Sequence, residues 1–371
     1  MIAGFSFTVR ERRLQAEKIK RIVVRGTNWV GDAVMTVPAL RALRQLLPQA
    51  HITLATRPWA EGLFADADFI DDLLLYERGR RDVRAVVRQT REWRNRRFDL
   101  AVLFQNAFEA ALIAAAARVP LRLGYATDGR RALLTHPLPL PAWRSERHEV
   151  FYYLNIVGEL ERLLYGTSNI EQQTPSYALH VSAERREQAR FLLKEHGATE
   201  TRPLVALCPG STNSRAKRWP AERFAALADM LITEEGMDVA LVGSPAELEV
   251  SLEVSAAMKV RPIMLTGKTN LAQAVAVLSL SNALVTNDTG PAHIAAALER
   301  PTIVIFGPTD PRTTRPFSQT AEIIRRPPEC APCMLRDCPI DHRCMTAITP
   351  AEVFTRVCAL IRREAAAEVR V

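Results

Sequence analysis

Residues 21–40 read R-I-V-V-R-G-T-N-W-V-G-D-A-V-M-T-V-P-A-L, and the fold class follows from this stretch. Arg21–Arg25 is a short run dominated by β-branched residues, the signature of a buried strand. A polar loop bounded by Gly26 and Gly31 follows, and then a helical pattern from Ala33 to Leu47. Two glycines permit a tight turn with exposed N–H groups, and the helix behind presents its positive end to that turn. The glycine spacing is G-x4-G without a third glycine, so the loop is not a dinucleotide fingerprint.

Outward from this unit the rhythm continues. His51–Thr56 and Ile70–Tyr76 read as strands, and Asp99–Phe104 as another, followed by an Ala-rich helix over Ala107–Arg118. Strand and helix in alternation imply parallel strands with right-handed crossovers. The second half repeats the pattern. Leu204–Cys208, Asp238–Val242, Ala283–Thr286 and Thr302–Phe306 are strands; helices run from Trp219-Pro220 to Thr233, over Asn270–Leu280 and over Pro291–Leu298. Pro220 is expected in the first turn of its helix. The linker is expected between Glu171 and Thr201, most loop-like at Gln172–Ser176. The reading is therefore α/β, with two Rossmann-like doubly wound domains, 1–180 and 181–349, facing a central cleft. A final helix over 350–371 is expected to pack back on the first domain. Open α/β sheets bind ligands at strand carboxyl ends, so such a pair suits a two-substrate enzyme.

The 371 residues carry a formal charge of +8, which favours anionic partners. Nine arginines stand between Arg78 and Arg97 against only Asp82 and Glu92. Val83, Val86, Val87 and Trp93 recur there at helical spacing, giving an amphipathic helix whose Arg-rich face is either simply solvated or directed at an anionic surface. No nucleic-acid reader motif or interleaved aromatics accompany the charge, so nucleic acid is not the expected partner. No apolar run approaches the roughly 18 residues needed to span a bilayer, and Arg10–Arg13 are not followed by a secretory h-region. The expected location is cytoplasmic.

Chemistry concentrates in the loops. Asp32, at a helix start, is either a first-turn carboxylate stabilising its helix or a general base projecting into the cleft. The loop after Leu204–Cys208, residues 209–220, offers small hydroxylated residues and Lys217 between Arg215 and Arg218, a set suited to a diphosphate, or a basic surface loop. The stretch is not a Walker A motif. Ser244 and Glu247 are spaced as a capping box with Pro245 between them; a carboxylate just beyond a Rossmann strand also suits ribose hydroxyls. Asp288, Thr289 and Gly290, with His293 behind them, end a strand and begin a helix, a geometry that binds phosphate. Asp288 or Thr289 could equally be an N-cap, and His293 a buried helix residue. Cys330-x2-Cys333-x4-Cys338-x5-Cys344 is spaced for a tetrahedral structural zinc; reduced thiols are the alternative in a reducing compartment.

Three stretches in this order, 25–40, C-P-G-S-T-N-S-R-A-K-R-W-P (208–220) and N-D-T-G-P-A-H-I-A-A-A-L (287–298), resemble glycosyltransferase family 9, the ADP-heptose:lipopolysaccharide heptosyltransferases. F-D-L-A-V-L-F-Q-N-A-F-E-A-A-L (98–112) and R-L-G-Y (122–125) are similar to its heptosyltransferase II subgroup. The resemblance spans about residues 20–360. It implies a GT-B fold and inverting transfer of heptose from ADP-heptose to the lipopolysaccharide inner core, most naturally a second heptose onto the first. Asp32 matches the catalytic base. Thr212, Asn213 and Lys217 match the donor diphosphate site, Asp288, Thr289, Gly290 and His293 the donor loop, and Glu247 the ribose contact. No cofactor or catalytic metal is implied. The anionic acceptor lies in the inner membrane, implying peripheral contact with its cytoplasmic face. A sugar-nucleotide epimerase of the same fold and a non-catalytic nucleotide-sugar-binding module are the competing readings, separated by whether sugar is transferred, epimerised or only bound.

Overall fold

Strand β1 (Arg21–Arg25) lies at the centre of a parallel sheet because its Ile22, Val23 and Val24 are fully buried, with apolar neighbours on both faces. The computed structural model describes residues 13–77 and 82–368. Arg78, Arg80 and Arg81 of the arginine-rich stretch, and Arg10–Arg12, lie outside the described residues.

The first sheet joins β1 to β2 (His51–Thr56), β3 (Asp72–Leu75), β4 (Leu100–Leu103), β5 (Leu121–Tyr125) and β6 (His136–Leu138). Its order is β3-β2-β1-β4-β5-β6, all parallel. One face carries α1 (Val30–Met35), α2 (Val37–Leu46), the short α3 (Glu61–Phe64) and, out of sequence order, the buried helix Glu149–Tyr165. The other carries α4 (Val83–Arg96) and α5 (Phe108–Ala116), packed through Trp93, Phe98, Ala111 and Ile113. Asp82 caps α4 by accepting from the Ala85 N–H at 3.1 Å. Glu149–Tyr165, α6 here, has Val150, Ile156, Val157 and Leu160 at zero exposure and ends in Gly166 at φ 87°.

The chain then crosses to the second domain through residues 166–182, and α7 (Ala183–Glu195) packs on α10 (Leu271–Leu280). This crossing includes the loop-like Gln172–Ser176, and α7 occupies much of the remainder of the 171–201 stretch. The second sheet contains β7 (Leu204–Cys208), β8 (Asp238–Leu241), β9 (Ile263–Met264), β10 (Ala283–Asn287), β11 (Thr302–Phe306) and β12 (Ala321–Arg325). Its order, β12-β11-β10-β7-β8-β9, is the same doubly wound order read from the other edge. Helices α8 (Ala221–Thr233), α9 (Leu248–Ala257) and α11 (Gly290–Ala297) complete it, with the short α12 (Pro311–Thr314) and α13 (Arg343–Thr346). Pro220 occupies the N-cap of α8 rather than its first turn.

The last helix, α14 (Pro350–Glu368), corrects an expectation. It packs on α8, β10 and β11, not on the first domain. Val353, Val357 and Leu360 fill the core beside Phe224 and Leu227, and the buried Trp219 indole N–H donates to the Ile348 carbonyl at 3.0 Å just before the helix. An apolar stripe identifies a helix that must be buried but not the surface that buries it.

Two helix pairs join the domains, and His148 and Phe151 of the first also meet Arg315 and Phe317 of the second. α1 meets α11, and α3 meets α10. Both contacts depend on glycine: a Cβ on Gly62 would collide with the Ala272 backbone, and one on Gly290 would lie 3.0 Å from Val30 Cβ.

Candidate active site

In each sheet the order reverses between the first and fourth strands of its own domain, at β1/β4 and at β7/β10. Ligands of open α/β sheets bind beyond such switch points. The loops after β1, β7 and β10 are among those that sequence reading singled out, and the α1–α11 contact brings the two switch points together.

On the second domain Asn287, fully buried at the end of β10, joins the loops. Its Nδ2 donates to the Pro209 carbonyl at 2.8 Å, and its Oδ1 accepts from the Trp219 N–H at 2.9 Å. This holds the segment containing Lys217 against the one containing Asp288. Lys217 Nζ donates to Asp288 Oδ2 at 2.7 Å and to the Asp288 carbonyl at 3.2 Å. Thr309 Oγ1 donates to the same carboxylate oxygen at 2.7 Å. Asp288 is therefore a buried counter-charge, not a helix cap. Thr289 holds the N-cap position of α11 but makes no capping bond; its hydroxyl turns to the Asn287 carbonyl at 3.3 Å. Gly290 begins α11, and Thr212 and Asn213 are exposed on the β7 loop.

Glu247 forms the capping box that its spacing from Ser244 suggests. The capping box is formed, with Ser244 N–H and Oγ donating to Oε2 at 2.9 and 2.8 Å. Its carboxyl group also lies directly over Gly210 of the β7 loop, where a Cβ would leave it no room. A helix-capping carboxylate is thus held against the loop after β7.

His293 is buried and packs across the domain boundary. Its Nδ1 shares a hydrogen bond with Tyr177 Oη at 3.1 Å, and its ring lies on Gly31. Burial pulls its pKa down to about 4, against the opposing charge of Asp288, so the imidazole is neutral at pH 7.

Asp32 is the third residue of α1, whose N-cap is Trp29. It is half-buried, and no hydrogen bond to its carboxylate forms among the described residues. Burial pushes its pKa up to about 6, while the positive charge of Arg144 pulls the other way. A carboxylate poised near neutrality, in a cleft, is what proton abstraction requires.

Sequence reading did not single out Arg144 and Glu149. Arg144 forms a two-pronged pair with Glu149, at 2.6 and 2.9 Å, and lies 4.1 Å from the centre of the Tyr152 ring. Burial raises the Glu149 pKa, which Arg144 opposes and Asp32 reinforces. The available signal was Arg144 and Glu149 at the entry to an apolar helix. Nearby, the buried Arg130 donates to the Tyr125 carbonyl at 2.8 Å and to Asn106 Oδ1 at 2.8 Å. Asn106 Nδ2 in turn donates to Tyr152 Oη at 2.6 Å, which fixes the loop after β4 beside the site.

The four clustered cysteines share one loop and α13. Cys330 is exposed, Cys333 and Cys338 are intermediate and Cys344 is buried. Among the described residues no group of three or more His, Cys, Asp or Glu side chains is arranged to hold a metal ion.

The Glycosyltransferase family 9 (heptosyltransferase) model matches residues 86–343. The chain belongs to glycosyltransferase family 9. It is 32% identical over 316 residues to lipopolysaccharide heptosyltransferase 2 of Salmonella typhimurium, covering 82% of this chain and 88% of that protein. The structure of Escherichia coli ADP-heptose lps heptosyltransferase II superposes with a TM-score of 0.79 at 29% identity, covering 93% of this chain and 99% of that one. A family 9 glycosyltransferase from Veillonella parvula gives a TM-score of 0.83 at 26% identity, covering 95% and 99%. The expected GT-B arrangement is therefore present, and the protein is a glycosyltransferase rather than an epimerase or a non-catalytic module. No helix among the described residues is long and apolar enough to cross a membrane.

Proposed function

We propose that this family 9 enzyme transfers heptose from ADP-L-glycero-D-manno-heptose to the lipopolysaccharide inner core, the second heptose onto the first, with inversion at the anomeric carbon. One observation supports the reading: the α1–α11 contact joins the helix bearing a carboxylate whose pKa is raised to about 6 to the helix that follows the Lys217–Asp288 pair.

In this reading the acceptor hydroxyl gives its proton to the Asp32 carboxylate as its oxygen forms a bond to the anomeric carbon. The bond from that carbon to the diphosphate oxygen breaks, and ADP leaves with the electron pair. Lys217 and the N–H groups at the start of α11 face the developing negative charge, where preorganised donors act most strongly. Lys217 exchanges Asp288 for the diphosphate. Thr212, Asn213, Thr289 and Gly290 line the diphosphate side, and Glu247 faces the ribose.

The acceptor is a membrane lipid, and α4 supplies a surface for it. Val83 is 73% and Val87 42% exposed, beside Arg84, Arg88 and Arg91, so apolar and cationic groups share one outer face. This supports peripheral contact with the anionic cytoplasmic leaflet. Incubation with radiolabelled ADP-heptose and a truncated inner-core acceptor tests the whole reading. Label in a lengthened core bears it out; label released only as free or epimerised sugar overturns it.

A further inference from the structure

Of the five tryptophans, only Trp29 is exposed, at 58%; Trp93 and Trp219 are buried, and Trp59 and Trp143 are intermediate. Trp29 occupies the N-cap of α1, at φ −118° and ψ 144°, and its side chain makes no capping bond. Ser, Thr, Asp or Asn at that position would satisfy an orphan N–H and stabilise the helix. An indole there gives up that bond and exposes a large apolar face to water.

Its position relative to Asp32 explains what the face can do. The N-cap and third helical positions are the two that reach each other in a capping box. Here they hold Trp29 and Asp32, and the Ala33 N–H to Trp29 carbonyl bond of 2.9 Å confirms that the first turn is intact. A hydroxyl close enough to give its proton to Asp32 lies about 2.6–3.2 Å from the carboxylate. The sugar ring carrying that hydroxyl then extends beside the indole. A pyranose has polar edges and apolar C–H faces, and an exposed aromatic ring matches such a face. The loop after the adjacent strand adds Phe108, 48% exposed at the start of α5, and it is tied to β1 by the Phe104 N–H to Arg25 carbonyl bond of 3.2 Å.

We propose that Trp29 is an acceptor-specificity residue: its indole stacks on the apolar face of the sugar whose hydroxyl Asp32 deprotonates. The inference rests on Asp32 being the base. It assigns recognition of the acceptor to α1, the same helix turn that carries the chemistry, and leaves donor recognition to the second domain.

The test compares Trp29→Ala, Trp29→Phe and Asp32→Asn, with ADP-heptose as donor and a deacylated, water-soluble inner-core oligosaccharide as acceptor. Trp29→Ala is expected to raise the KM for the oligosaccharide about 10-fold, the scale of losing one aromatic stack with its buried area, and to leave the donor KM unchanged. Trp29→Phe should recover most of the loss. In the wild type, saturating oligosaccharide should shield the one exposed indole from acrylamide quenching. An unchanged acceptor KM in Trp29→Ala, with Asp32→Asn inactive, overturns the stacking role and leaves the base in place. Equal rises in donor and acceptor KM also overturn it, because they mark a merely structural effect. If Asp32→Asn turns over normally, the reading of Asp32 fails and the stack fails with it.

Discussion

Gly31 and His293 meet across the domain boundary, so closely that a Cβ on Gly31 would lie 3.0 Å from His293 Cδ2. Gly31 immediately precedes Asp32 of the first domain, and His293 sits in the first turn of α11 in the second. The spacing of the two half-sites is therefore set by the absence of one side chain.

Gly31→Ala should push α1 and α11 apart by a few tenths of an ångström. Misplacement of reacting groups is costly, so kcat/KM is expected to fall on the order of 10-fold or more. Combining it with His293→Ala should relieve the clash. A double-mutant cycle on kcat/KM checks this, and strictly additive losses would refute a steric coupling.

Asp32→Asn keeps the shape of the side chain but cannot accept a proton. A loss of about 10²–10⁴ in kcat with unchanged donor affinity is expected for a general base. Folding raises the Asp32 pKa, so the ionised form is disfavoured in the folded protein and the Asn variant should lose no thermal stability. Wild-type kcat/KM should decline as pH falls through about 6, where Asp32 becomes protonated. Arg144→Gln removes the charge that holds that pKa down, so its acid limb should move to higher pH, and raising the pH should restore rate. A limb that stays in place would show that Arg144 has no part in setting the base.

Lys217→Ala removes the ammonium proposed to face the diphosphate and leaves the Asp288 carboxylate accepting from the Thr309 hydroxyl. The kcat/KM for ADP-heptose should drop roughly 10² or more, the scale of one strong transition-state contact. Some stability should be lost too, since breaking a buried pair strands its partner. Steady-state kinetics beside a melting curve separates the two effects.

Transfer is expected to continue in EDTA, because Lys217 and the α11 N-terminus supply the positive charge. Loss of transfer without unfolding would place a metal in the reaction. A thiol-competing chelator asks a different question: release of one equivalent of zinc with loss of structure would put zinc at Cys330, Cys333, Cys338 and Cys344.

Replacing Arg84, Arg88 and Arg91 by Glu should impair transfer to acceptor in anionic vesicles more than to soluble acceptor. Equal effects on both would leave α4 as a solvated surface.

Four strands, Arg21–Arg25, His51–Thr56, Leu204–Cys208 and Thr302–Phe306, match their sequence-derived bounds because each is a run with few polar interruptions beside a loop. β6 was missed: it is three residues long at a sheet edge and contains Pro137, where a missing N–H is tolerated. α6 was missed because its buried residues lie nearly all round the helix, so no stripe stands out. At the site, Asp32, Lys217 and Asp288 could be singled out since each lies between the carboxyl end of a strand and the first turn of the next long helix. The roles of Arg144 and Glu149 could not, because their effect on Asp32 depends on the packing of α6 against α1, which leaves no local trace. The Lys217–Asp288 pair was hidden for the same reason: the two residues are 71 positions apart.

Because α14 closes over the second domain, the described chain passes between the halves once, through residues 166–182. Each half is thus a continuous piece of polypeptide with its own sheet. A cut in that segment would leave two fragments capable of meeting again through α1 with α11 and α3 with α10. The enzyme is topologically a two-part assembly on a single tether, suited to expression as complementing halves.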